Sequence, residues 1–81
     1  MALDNLRILY NMSSDLRNKR GELSDRILTF KLLISESAGD IKDVYEHQMT
    51  SVESELDMVS AQFNEISATI ERFITIRARY N

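Results

Sequence analysis

The chain has 81 residues, a net charge of −3 and an isoelectric point near 5. Without Cys it has no disulfide and no thiolate metal site, and with a single His it has no His-based metal site unless carboxylates complete one. Without Pro and with only two Gly it lacks the turn residues that a sheet protein needs, so an all-α fold is expected. About 80 residues make at most one domain, and a monomer of that size buries only about 60% of its unfolded surface.

The first predicted element covers about residues 3–37. Its apolar stripe runs Leu6, Leu9, Leu16, Leu23, Ile27, Phe30 and Ile34 in alternating steps of three and four, with Ser13 and Arg20 as weak positions. Gly21 lies inside this helix and weakens it by about 1 kcal/mol relative to Ala, so the polar stretch 11–22 is expected to be continuous but loosely packed. The segment Ile27–Ile34 is apolar around most of the helix, because Leu28 and Leu32 point away from Ile27, Phe30 and Ile34.

The turn is predicted at about 38–40. Ser35-Glu36-Ser37-Ala38-Gly39-Asp40 is small and polar, Gly39 suits the left-handed position past a helix end, and Asp40 suits the cap of the next helix. The second element, about 41–79, carries an unbroken heptad stripe of Met49, Val52, Leu56, Val59, Phe63, Ile66, Ile70 and Phe73. Extending the first stripe by sevens reaches Gln48 rather than Met49, a slip of one residue that fits a reversal of the chain.

Charge supports the same reversal. Residues 1–38 carry six Lys/Arg and five Asp/Glu, and residues 39–81 carry four and eight. Folding at Gly39 pairs positions whose numbers sum to roughly 79. Arg20 and Arg26 then face Glu53, Glu55 and Asp57, and Asp4 faces Arg72, Arg77 and Arg79. The expected architecture is one domain over 1–81, an antiparallel two-helix hairpin of coiled-coil type that assembles into a four-helix bundle.

No constellation carries chemistry. Asp43 and His47 share a helix face but make only two ligands, and Glu53, Glu55 and Asp57 read as a solvated face because a two-helix hairpin offers no cleft. No Ser stands in a nucleophile elbow, and no Gly-rich phosphate loop is present. No catalytic, cofactor-binding or metal residues are expected, and no small-molecule substrate. The acidic balance argues against nucleic acid, and no segment has the roughly 20 apolar residues of a membrane span. The start of the chain has no basic stretch followed by an apolar core, so a classical signal peptide is not expected. The expected compartment is the cytoplasm, with non-classical export as the alternative.

Apolar residues outside the main stripes carry the functional expectation. A second apolar stripe needs a cover. The expected partner interface is Ile8, Met12, Ile27, Leu28, Phe30, Leu32, Leu33, Ile34, Tyr45, Met49 and Ile74, with Tyr10, Met58 and Ile76 also outside the seam. The partner is a second copy, giving a homodimer, or a helical protein. In size, hairpin layout and lack of Cys and Pro, the chain resembles in outline the small acidic helical hairpins of bacterial secretion systems, the type III needle-complex chaperones and the WXG-type partners. It has no Trp and hence no Trp-x-Gly turn, and it lacks the Asp-Pro turn of needle subunits, so no family membership follows. That outline implies a small chaperone or adaptor of a secretion or assembly system. Two alternatives use the same surfaces: a viral-type regulator or inhibitor that blocks a target with one helical face, and a binder of membrane or nucleic-acid surfaces through the basic first helix.

Overall fold

The computed structural model describes residues 2–80. Two helices, α1 (Ala2–Glu36) and α2 (Gly39–Tyr80), fold back on each other as an antiparallel hairpin 63 Å long and about 15 Å across. The reversal takes only Ser37 and Ala38, a tighter turn than 38–40. Ser37 closes the end of α1 by donating its N–H to the carbonyl of Ile34 at 3.3 Å. Gly39 then has φ +64°, and among the described residues it alone has positive φ. An L side chain there meets its own carbonyl, which is why Gly holds this position. Asp40 lies inside the first turn of α2 rather than at its cap, and its charge faces the positive end of the helix dipole.

The seam is the pair of heptad stripes. Leu23, Ile27, Val52 and Val59 form its buried centre, with Leu16, Phe30, Met49 and Leu56 packed around them, and Ile70 is buried further along. Leu6, Leu9, Ser13, Arg20 and Ile34 all lie partly covered on the same line, so α1 keeps one register across its weak positions. Arg26 with Val52, Phe30 with Gln48 and Leu16 with Gln62 line shared grooves, so residues whose numbers sum to about 78 stand level across the hairpin. Toward the open end the cover thins, and Phe73 is already 36% exposed.

Gly21 does not interrupt α1. A Cβ there would meet nothing within 4 Å, so no contact inside the hairpin requires a glycine. The hydroxyls of Thr29, Thr50, Thr69 and Thr75 each donate to the carbonyl four residues back, at 2.8 to 3.1 Å. Their polarity is therefore satisfied within their own helices.

The charge pattern gave the right antiparallel arrangement, but the individual ion pairs differ from those expected. The one cross-helix pair among the described residues joins Lys19 to Glu55 at 3.5 Å, and Asp4 pairs with Arg7 of its own helix at 3.9 Å instead of reaching Arg72, Arg77 or Arg79. Arg20 does not meet Glu53, Glu55 or Asp57. Its guanidinium carbon lies 4.8 Å from the centre of the Phe63 ring. Side chains of a helix lean toward its N-terminus, which carries Arg20 from its own level toward that of Phe63. Arg20 occupies a seam position, so its stem is already over apolar surface and the ring face is the nearest partner for its charge.

Two consequences can be measured by urea denaturation followed by circular dichroism. Gly39→Ala should lower stability by about 1 kcal/mol, and Gly39→Asn by less, because Asn tolerates the left-handed region better. Arg20→Leu should raise stability by about 1 kcal/mol by completing the apolar seam, whereas Arg20→Lys should lower it by about 0.5 kcal/mol through loss of the planar stack on Phe63.

Candidate interaction surfaces

The residues of the expected interface divide into two groups. Ile27 is buried between the helices, and Phe30, Leu33, Ile34, Tyr45 and Met49 are half-buried. Phe30 and Met49 pack on the central cluster. Tyr45 stands four residues before Met49 and so continues the α2 stripe, and its ring meets that of Phe30 with centroids 6.4 Å apart and planes tilted by 46°. The hairpin itself therefore occupies much of this group. Ile8, Met12, Leu28, Leu32 and Ile74 form the second group and stay exposed, Leu28 and Leu32 by about 60% each.

The exposed apolar residues fall into patches. Leu28 and Leu32 are one turn apart on the outer side of α1, near the hairpin turn. Ile41 and Val44 lie three residues apart at the start of α2 and are 62% and 54% exposed. Sequence reading missed this second pair. Its signal is present, since both residues lie off the line that Met49–Phe73 continues back to Tyr45. Tyr10, Met58 and Ile76 are exposed, as their positions outside the seam imply.

Two open grooves run along one broad side of the hairpin. The first is lined by Met12, Asp15, Leu16, Gln62, Glu65 and Ile66. The second lies beside Arg26, Phe30, Gln48 and Glu55, close to the Lys19–Glu55 pair. Neither groove brings a nucleophile beside a base. His47 is exposed on the outer side of α2, and among the described residues no group of three or more His, Asp or Glu is placed to hold a metal ion. No helix of the described residues is long and apolar enough to cross a membrane. The charged side chains are largely solvated, and Lys19 and Glu55 keep about half of their surface in water. An ion pair of that kind contributes only a few tenths of a kcal/mol, so charge does not hold the hairpin together.

The chain matches no family model, no curated protein and no solved structure.

Proposed function

We propose that this chain is a non-catalytic helical interaction module that docks its outer apolar side chains on other helices. One observation carries this reading. Among the described residues eleven large apolar side chains are exposed, while the core comprises five buried ones. Singly exposed apolar residues are ordinary. Paired ones at helical spacing, such as Leu28 with Leu32 and Ile41 with Val44, form faces of the kind that helices bury against each other. The cost of leaving them in water is comparable with the stability of a small domain, at roughly 25 cal/mol per Å².

The occupant is a second copy, a helical partner or both. A small chaperone or adaptor of an assembly system fits this chemistry, because such a protein covers an apolar helix with one of its own. An inhibitor that blocks its target with one helical face would use the same residues. Binding to an anionic surface through α1 has less support, since Asp4, Asp15, Glu22, Asp25 and Glu36 are interleaved with its bases.

Serine variants of the two pairs test the proposal. Leu28→Ser with Leu32→Ser, and separately Ile41→Ser with Val44→Ser, should leave helicity intact, because neither pair belongs to the central cluster. At least one variant should weaken association by about a hundredfold, read by sedimentation of the chain alone and by capture of an amphipathic helix. The proposal fails if the native chain is monomeric, binds neither an apolar dye nor such a helix, and melts like both variants.

A further inference from the structure

The two broad sides of the hairpin differ in charge. The grooves and the Lys19–Glu55 pair occupy one side, where acids and bases are mixed on both helices. By helical periodicity the opposite side takes the flanking positions that follow the seam residues by one and by four. On α1 the charged residues of this opposite side are Arg7, Arg17 and Lys31, with no acid. On α2 they are Asp43, Glu46, Glu53, Asp57 and Glu71, with no base. All eight are exposed. Of these only Arg7 belongs to either ion pair among the described residues, through the distant contact with Asp4. The half of the face that α1 supplies is therefore basic and the half that α2 supplies is acidic.

Small residues are interspersed with these charges. On α1 Ser14 and Gly21 share the outer row of the face with Arg7, and Ser24 lies nearer the seam between Arg17 and Lys31, while on α2 Ser60 and Ser67 follow Glu46 and Glu53 along the inner row. Gly21 weakens its helix and touches nothing within the hairpin, so its small size is unexplained by the single chain. A second helix lying close against α1 would explain it.

We infer that a second copy of this chain seats on this face, with the two hairpin turns at the same end. This inference rests on the docking function proposed above and adds the occupant and the orientation. Two copies meeting face to face have two symmetric arrangements. A two-fold axis along the helices lays α1 of each copy on α2 of the other and preserves levels. Arg7 then meets Glu71 of the second copy, Lys31 meets Glu46 and Asp43, and Arg17 lies within a turn of Asp57. A two-fold axis across the helices lays α1 on α1 and α2 on α2, which sets bases against bases and acids against acids. Like charges across an interface exclude an arrangement more strongly than opposite ones strengthen it. The charges thus select the first arrangement, while Tyr10, Leu28 and Ile74 on the same face supply apolar contact. With Cα extents of 63 by 15 Å the side measures about 900 Å². That matches the roughly 800 Å² per partner of a stable interface, provided most of the length is used.

The chain has no cysteine, so single cysteines report the orientation cleanly. One population carries Ser14→Cys and another Asn64→Cys, residues that stand level on α1 and α2. Mixed and treated with a short bismaleimide, they should cross-link to each other, whereas Ser14→Cys and Ser24→Cys populations should not. Arg17→Glu should weaken the dimer about tenfold in sedimentation equilibrium without changing helicity, and adding Asp57→Arg should restore it. A dominant Ser14–Ser24 cross-link overturns the orientation and leaves the docking function standing. A dimer unmoved by Arg17→Glu overturns the choice of face. A folded monomer at all accessible concentrations overturns the second copy, while the serine variants above still decide the docking function on a helical partner.

Discussion

A pair of helices can bury only one stripe of each, and the rest of this molecule follows from that limit. The stripe available to α1 and α2 is the heptad seam centred on Leu23, Ile27, Val52 and Val59. Everything apolar beyond it stays in water unless something else covers it. A globular domain surrounds each helix with several neighbours, so a residue such as Leu28 would find a place inside. Here each helix has one neighbour, and Leu28 stands on its far side. Gly39 makes the seam possible by reversing the chain in two residues, with the left-handed backbone that its missing side chain permits. The seam also explains why charge matters little to the fold. Lys19 and Glu55 meet at its edge with half of their surface solvated, while aliphatic contacts fill its centre.

Much of this was legible in the sequence. The alternating steps of three and four from Leu6 to Ile34 and from Met49 to Phe73 are the lines that the structure buries or half-buries, with only Phe73 reaching the surface. The register slip between them located the reversal, and Gly39 with its small polar neighbours fixed it to within a residue or two. Long-period apolar patterning is robust because many residues repeat the same signal. The ion pairs were less legible. Long exposed side chains reach several partners at nearly equal energy, so sequence complementarity gave the arrangement of the helices but not the contacts, and Arg20 found the Phe63 ring instead of an acid.

The interaction surface was half legible. Leu28, Leu32, Ile8, Met12 and Ile74 could be placed outside the seam by phase alone, and they are exposed. Phe30, Leu33, Ile34 and Tyr45 read the same way in the sequence, because an apolar run near a turn looks the same whether the cover comes from within the hairpin or from outside. The Phe30–Tyr45 contact shows that α2 covers part of that run itself. The separation of charge between the two halves of one face depends on the register of both helices, since the register decides which flanking positions share a side. Gly21 acquires a meaning in the same way: it looks like a flaw in an isolated helix and like a point of close approach in an assembly.

The central claim is that the outer surface of this hairpin is built to be covered, in the first place by a second copy. Thermal unfolding of the full chain, followed by circular dichroism over a hundredfold range of concentration, tests it most directly. Association that accompanies folding makes the midpoint depend on concentration. The account predicts a midpoint that rises steadily with concentration while the helical signal below the transition stays constant. A midpoint independent of concentration, with a single sharp transition, would contradict a second copy as that cover.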